Sequence, residues 1–181
     1  KMGKENEAKN LYKQYREENP EDDFAYKEEL KLKIKDKSPE EAVKQLRQLL
    51  KIGKRKDNVH LHSLLGEQLE EINKYEEAVS AYQKALELNP EDKYILNRIG
   101  LCLRKVDKNQ EALTYLKQAF RQDPSDYYIR SSLESIFKEL NKQENGINFF
   151  QEIIKENPSF NNLWGIIKRL QNNIEKKGEK N

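Results

Sequence analysis

The chain has 181 residues, and its 34 basic and 32 acidic side chains leave a formal net charge of only +2. This balance offers no overall electrostatic basis for binding nucleic acid, and the single cysteine, Cys102, excludes an intrachain disulfide framework. No apolar run approaches the about 20 residues needed to cross a bilayer, so we expect no membrane insertion. Since no signal peptide is visible, we expect a cytoplasmic location.

The apolar residues recur with a helical period, and several prolines recur with a 34-residue period. Pro90, Pro124 and Pro158 are 34 residues apart, and each follows an Asn or an Asp. Proline has no N–H and disfavours helix in the residue before it, so each proline is expected to close a helix. Asp92 and Asp126 then offer N-caps for the helices that follow. This spacing predicts three repeats of two helices each: 59–92, 93–126 and 127–160.

The N-terminal part is expected to hold one helix of an incomplete repeat and then a further helix pair. Residues 1–22 match only the second helix of a repeat, and the chain starts with Lys1, so we interpret the N-terminus as truncated. Residues 23–58 fit a repeat with a two-residue insertion. The second helix of this repeat has a strong start signal, because Ser38 can cap it and Pro39 suits the first helical position.

The next two repeats share small residues at corresponding positions. Gly66 is predicted to face Ala78, and Gly100 is predicted to face Ala112. The absence of large side chains at these positions would allow the two helices of a repeat to approach closely. Four aligned repeats with aligned prolines therefore predict a stack of helix pairs rather than isolated helices.

The third of the 34-residue repeats departs from this pattern. It has Glu134 at the glycine position and Gly146 at the alanine position, and we interpret the glycine as making room for the stem of Glu134. Residues 161–174 are predicted to form a capping helix, in which Lys168 would obstruct any further helix. The apolar residues of this helix follow a helical period: Leu163, Trp164, Ile167, Leu170 and Ile174. Residues 175–181 are predicted to form a flexible tail.

These motifs resemble the tetratricopeptide repeat family, and the resemblance covers nearly the whole chain. It implies an all-α fold, a right-handed superhelix (α-solenoid) of antiparallel helix pairs with about ten helices. It also implies a concave groove that is lined by the first helices, where members of the family bind extended peptides or partner helices. We therefore expect a single domain that acts as a scaffold for a protein or peptide partner, with no catalysis and no cofactor of its own.

Matching positions between the repeats gives the residues that the resemblance places in this groove. The candidates are Phe24, Lys27, Lys31 and Lys35; His60, Ser63, Glu67 and Glu71; Tyr94, Asn97, Leu101, Arg104 and Lys105; and Tyr128, Ser131, Ser135 and Lys138. The aromatic groups can supply contact area at a low entropy cost. The bases among them favour a partner of acidic character. The residues that other family members use to clamp the C-terminal carboxylate of chaperones are not present as a set.

Three alternatives remain open beside a peptide-binding scaffold. The segment can serve as the regulatory or substrate-docking arm of a larger protein or enzyme. The groove can bind RNA, with the basic run from Lys51 to Lys56 contacting phosphates, although Glu67, Glu70 and Glu71 place acidic groups in the groove and make nucleic acid an unlikely partner. Exposed terminal repeats can also associate with each other.

Two groups with potential for metal or covalent chemistry are interpreted as packing residues. His60 and His62 are two residues apart, whereas a helical metal pair needs a spacing of three or four. One histidine is therefore expected to line the groove and the other to pack between helices. Cys102 has no histidine at helical spacing and is expected to be a buried or half-buried small residue.

Overall fold

Helices account for the regular structure that the computed structural model describes. The model describes residues 2–19, 23–51 and 58–178, and at a few positions within these ranges only the backbone. These ranges contain no strand. They contain ten α-helices: α1 (Met2–Glu18), α2 (Asp23–Ile34), α3 (Pro39–Leu50), α4 (Val59–Glu71), α5 (Tyr75–Leu88), α6 (Lys93–Lys105), α7 (Asn109–Gln122), α8 (Tyr127–Glu139), α9 (Gln143–Glu156) and α10 (Trp164–Gly178). A 3₁₀ helix, Pro158–Leu163, precedes α10. The all-α prediction and the predicted number of helices are confirmed.

The helices form two compact units, residues 1–90 and residues 91–181. In unit 1, α1 packs on α2, α3 packs on α4, and α4 and α5 form a close pair. In unit 2, α6 and α7 form a close pair, α7 packs on α8, and α9 packs on α10. The turn between the helices of each close pair is only a few residues long, which makes those helices antiparallel.

Side-chain caps begin the first helix of each 34-residue repeat. The side-chain oxygens of Asn58, Asp92 and Asp126 accept hydrogen bonds from backbone N–H groups three residues later, at 2.9–3.0 Å. The predicted caps at Asp92 and Asp126 are therefore confirmed. Ser38 likewise accepts a hydrogen bond from the N–H of Glu41, as the start signal of α3 predicts. These bonds satisfy N–H groups that have no partner within the helix.

The turns inside the repeats use a second periodic signal that the sequence analysis missed. Asn73, Asp107 and Asn141 have positive φ angles of 58°, 58° and 54°. They are 34 residues apart and lie in the turn after each first helix. Asn and Asp tolerate this left-handed conformation better than other residues with a side chain. The turn that reverses the chain within each repeat is therefore encoded at the same position each time.

At the glycine positions of the repeats, the nearest side chain belongs to a different residue from the predicted alanine. A Cβ at Gly66 would lie 2.7 Å from atoms of the Tyr82 ring, and a Cβ at Gly100 would lie 2.6 Å from Cγ of Leu116. The backbone oxygen of Ala112 is farther from the Gly100 position, at 3.4 Å. The glycines therefore make room mainly for the large side chain four residues after the alanine.

The interpretation of Gly146 is wrong. A Cβ at this position would lie 2.8 Å from the Phe137 ring and 3.0 Å from Cδ1 of Leu170, and no atom of Glu134 is among its three nearest neighbours. Gly146 thus accommodates two core side chains, one from α8 and one from α10. Phe137 packs with Phe149 and Phe150 through tilted and edge-to-face ring contacts, so this part of the core of unit 2 is largely aromatic.

The C-terminal helix differs from its prediction in two respects. α10 extends to Gly178, past the predicted end at residue 174, and residues 179–181 lie outside the described part of the chain. Leu163, Ile166, Ile167 and Leu170 are buried. Trp164, however, is 52% exposed and therefore lies outside the packed stripe to which the sequence pattern assigned it. Lys168 is exposed, on the side of α10 away from this core.

Candidate functional site

The candidate residues of unit 1 are unevenly placed. Lys27, Lys31 and His60 are half-buried, whereas Ser63 is buried at 8% exposure, so the inclusion of Ser63 among the groove residues was wrong. Lys35 lies in the turn beyond the end of α2, and the side chain of Phe24 lies outside the described part of the chain. Lys31 donates to Glu28 at 2.9 Å, so its charge is partly compensated.

The remaining two candidates of unit 1 are acidic and belong to α4. Glu67 is half-buried and Glu71 is exposed at the last residue of the helix. The basic run from Lys51 to Lys56 was considered as a phosphate contact, but residues 52–57 lie outside the described part of the chain. Unit 1 therefore offers a mixture of partly paired charges and no exposed aromatic residue among the described side chains of its candidates.

The candidate residues of unit 2 lie along two first helices. On α6 they are Tyr94, Asn97, Leu101, Arg104 and Lys105, and on α8 they are Tyr128, Ser131, Ser135 and Lys138. Because their spacing alternates mainly between three and four, the members of each set share one face of their helix. We call these nine residues the unit 2 face.

The exposed aromatic groups are concentrated at the N-terminal ends of these helices. Tyr94 is 48% exposed and Tyr128 is 79% exposed. Tyr127, next to the face, is 62% exposed; its ring meets that of Tyr128 edge-on, with 5.7 Å between centroids. The guanidinium group of Arg130 lies over the Tyr127 ring at 5.3 Å from its centroid. Single exposed aromatic residues are common on protein surfaces, whereas exposed aromatic residues in contact with each other are typical of binding sites, so the Tyr127–Tyr128 pair marks the face as a candidate site.

Arg104 joins the two helices across the unit 2 face. Its Nη2 atom donates to Oε1 of Glu139 at 2.9 Å and to Oγ of Ser135 at 3.3 Å. Ser135 donates in turn to the same carboxylate oxygen at 2.6 Å. These contacts bring together two of the predicted residues, Arg104 of α6 and Ser135 of α8. They also pair the guanidinium group of Arg104 with a carboxylate of the chain itself.

A second ion-pair cluster centres on Glu134. Arg169 of α10 donates to its carboxylate through Nε at 2.9 Å and through Nη2 at 2.7 Å, and Lys138 donates to it at 2.6 Å. The two-bond pair with Arg169, followed by the ammonium group of Lys138, holds the pKa of Glu134 below its usual value despite its partial burial. Lys138 is therefore also paired within the protein.

The remaining residues considered for chemistry are Cys102, His60 and His62. Cys102 is fully buried, which confirms its predicted burial. His60 and His62 are both half-buried. Within residues 2–19, 23–51 and 58–178, no three His, Cys, Asp or Glu side chains are grouped to hold a metal ion. In the same ranges, no helix has the length and apolar character required to cross a membrane.

Comparisons with known proteins support the repeat architecture. Family models described as "Tetratricopeptide repeat" match residues 61–92 and 94–126. The chain carries tetratricopeptide repeats. The two matched ranges are the repeats that share the small residues Gly66 and Gly100. No curated protein sequence matches the chain.

Several solved structures share the helical-repeat fold of this chain. MamA is 16% identical, with 98% of this chain and 93% of that chain covered at a TM-score of 0.62. YrrB is 19% identical, with coverages of 91% and 84% and a TM-score of 0.64. A thermophilic TPR protein from Thermus thermophilus is 17% identical, with coverages of 96% and 92% and a TM-score of 0.54. At these identities the similarity establishes the fold.

Two features of the site were not found from the sequence. Glu139 was left out of the candidates although it holds Arg104, and Tyr127 was left out although its ring contacts Tyr128. Glu139 lies four residues after Ser135, so the helical spacing contained a signal for it. Tyr127 lies one residue before the face, and only the ring contact reveals its place in the aromatic cluster.

Proposed function

We propose that this protein is an interaction scaffold, without catalysis of its own, that binds an extended peptide segment of a partner protein on the unit 2 face. The observation that carries this proposal is the exposure of Tyr94 and Tyr128 on two first helices that Arg104 joins into one surface. Tyrosines supply large, rigid contact areas and are enriched among the residues that dominate binding energy.

The repeat architecture supports the same function. Stacked helix pairs present first helices side by side, which creates an extended surface suited to an extended ligand. YrrB, which shares the fold, is described as a TPR protein with an unusual peptide-binding site. In this chain, the side chains that form the core are distinct from those on the unit 2 face, so the face is available for binding without a loss of packing.

The test is a selection of peptides from a random display library on the 181-residue chain, followed by affinity measurements on synthetic copies by fluorescence anisotropy. We expect the double variant Tyr94→Ala/Tyr128→Ala to bind these peptides at least about 10-fold more weakly, a loss of about 1.4 kcal/mol. The matched control is Tyr15→Ala on α1, because Tyr15 is 44% exposed but lies outside the unit 2 face.

Folding must be checked in parallel, since a partly unfolded variant would also lose binding. All three substituted side chains are well exposed, so the thermal midpoints of the variants should stay close to that of the wild type. Selected peptides that bind the double variant as tightly as the wild type would contradict the proposal that the unit 2 face is the binding surface.

A further inference from the structure

The sequence contains a single Asn-Gly pair, Asn145–Gly146, which lies near the start of α9. An asparagine before a glycine loses its side-chain amide more readily than other asparagines, because glycine has no Cβ to hinder its own backbone nitrogen. That nitrogen can attack the side-chain carbonyl carbon of the preceding residue. Asn145 is exposed, so water has access to its carboxamide.

The reaction needs water as its only co-reactant. A bond forms between the backbone nitrogen of Gly146 and Cγ of Asn145, and the bond between Cγ and Nδ2 breaks. The proton of the Gly146 nitrogen passes through solvent to the departing nitrogen, which leaves as ammonia. Water then opens the resulting cyclic imide at either carbonyl group, and the products are aspartate and isoaspartate.

The folded helix withholds the attacking nitrogen. The N–H of Gly146 donates to the carbonyl oxygen of Lys142 at 3.0 Å. In a helix this N–H points along the helix axis, whereas the side chain of Asn145 points outward from it. Gly146 is also buried, next to Phe137 and Leu170. The start of α9 must therefore open before the reaction can begin.

The start of α9 lacks the side-chain cap that α6 and α8 possess. Lys142 occupies its N-cap position without a side-chain hydrogen bond to the helix, whereas Asp92 and Asp126 cap α6 and α8. A helix end without such a cap opens more readily than the middle of a helix. A pocket of about 240 Å³, which Asn145 helps to line, gives water room beside this turn.

The two products differ in their effect on the repeat. Aspartate at position 145 keeps the native backbone and adds a carboxylate near the N-terminus of α9, where the helix dipole favours it. Isoaspartate continues the chain through its side-chain carbonyl and so adds a carbon atom to the backbone just before Gly146. Space is lacking there, since a methyl group on Gly146 would already lie 2.8 Å from the Phe137 ring and 3.0 Å from Cδ1 of Leu170.

We infer that Asn145–Gly146 is a self-modification site that stays closed while the start of α9 is folded and reacts when this turn opens. The reaction requires no enzyme and does not depend on peptide binding by the unit 2 face. Because the isoaspartate product cannot restore the packing at Gly146, the site turns a reversible opening of α9 into a permanent change.

The test follows the 181-residue chain in mildly alkaline buffer, with and without guanidinium chloride at an unfolding concentration. Mass spectrometry of proteolytic fragments gives the converted fraction of residue 145, and an isoaspartyl methyltransferase detects isoaspartate. We expect conversion to be at least about 10-fold slower in the folded chain, because a reaction through an open state scales with the population of that state. Equal rates would overturn the gating by α9, and no conversion in the unfolded chain would overturn the site itself.

A pair of core variants locates the opening. Leu170→Ala removes a side chain that packs beside Gly146, and it should speed conversion in the folded chain by about 5-fold or more without changing the rate in the unfolded chain. The matched control is Leu46→Ala, which creates a cavity in unit 1 and should leave the rate unchanged. If Leu170→Ala does not fold, Leu170→Val should produce a smaller increase in the same direction. Equal acceleration by the variants in the two units would overturn the local gating, because the chain would then open as a whole.

The variant Asn145→Asp separates the new charge from the altered backbone. We expect its thermal midpoint to stay close to that of the wild type, since the residue is exposed and lies near the helix N-terminus. The isoaspartate form, separated from aged protein by chromatography, should unfold at a lower temperature than Asn145→Asp. Equal midpoints of these two forms would overturn the inference that the packing at Gly146 makes the change permanent.

Discussion

The variant Gly66→Ala tests whether the close approach of the two helices stabilises the repeat. A methyl group at this position would lie 2.7 Å from Cε1 and Cζ of Tyr82, whereas ordinary contacts begin at 3.4 Å, so the ring or a helix must shift by about 0.7 Å. The ring cannot move freely, because Tyr82 is fully buried and its hydroxyl group donates to Oε1 of Glu70 at 2.7 Å. The variant Gly66→Ala therefore forces overpacking in the core of unit 1.

The expected magnitude follows from two opposing effects. Overpacking costs about 1–3 kcal/mol, while replacing glycine by alanine inside a helix gains about 1 kcal/mol. We expect a net loss of up to about 2 kcal/mol in the free energy of unfolding, and a decrease of up to about 6 °C in Tm for a chain of this size. Urea unfolding, followed by the far-ultraviolet circular dichroism of the helices, gives the free energy.

The matched control is Gly165→Ala in α10. A Cβ there would lie 3.7 Å from Nη1 of Arg169, which is an ordinary contact at an exposed position. Because this change adds helix propensity without a clash, we expect no loss of stability and a gain of up to about 1 kcal/mol. A Gly66→Ala protein that gains as much stability as Gly165→Ala would refute the reasoning, since the contact with Tyr82 would then not limit helix approach.

Three further predictions concern single positions in unit 2. Hydrogen bonds, first from Lys93 and then from Ser125, lower the pKa of Asp123 to about 2 from its usual 3.8. The Asp123 carboxylate therefore contributes to stability above about pH 4, and this contribution is lost as the pH falls toward 2. Across this range, the midpoint of urea unfolding should fall less in Asp123→Asn than in the wild type. Asp126→Ala removes the acceptor for the N–H groups of Tyr128 and Ile129 and should cost about 1 kcal/mol in urea unfolding, whereas an unchanged midpoint would show that the cap contributes nothing. Gly146→Ala should destabilise by up to about 2 kcal/mol in the same assay, because its methyl group would meet the Phe137 ring while the gain in helix propensity is only about 1 kcal/mol.

Features that depend on nearby residues were predictable from the sequence. The helix ends follow from prolines and from capping Asn and Asp residues, and each of these acts within three or four residues of its position. Asp92 and Asp126 could therefore be assigned as caps from the sequence alone. The candidates on α6 and α8 could be placed on a common face because helical periodicity is equally local.

Features that depend on contacts between repeats were not predictable in the same way. Arg104 pairs with Glu139, 35 residues away, and Arg169 pairs with Glu134, also 35 residues away. In a sequence with 36% charged residues, many carboxylates compete for each base, and side-chain conformation decides between them. For this reason the composition of the face indicated an acidic partner, while the structure pairs two of its bases, Arg104 and Lys138, with carboxylates of the chain itself.

Gly146 shows a limit of predicting side-chain packing from the pattern within a single repeat. The sequence interpretation couples it to Glu134, because the two residues occupy the paired small positions of a single repeat. The structure couples it to Phe137 instead, and to Leu170 in the following helix. A double-mutant cycle separates the two interpretations. If the contact with Phe137 limits the space at Gly146, Glu134→Ala should not relieve the destabilisation by Gly146→Ala. Phe137→Leu, by contrast, should relieve part of that destabilisation, by about 0.5 kcal/mol or more. Relief by Glu134→Ala alone would restore the sequence interpretation, because it would mean that the space at Gly146 is used by the stem of the glutamate.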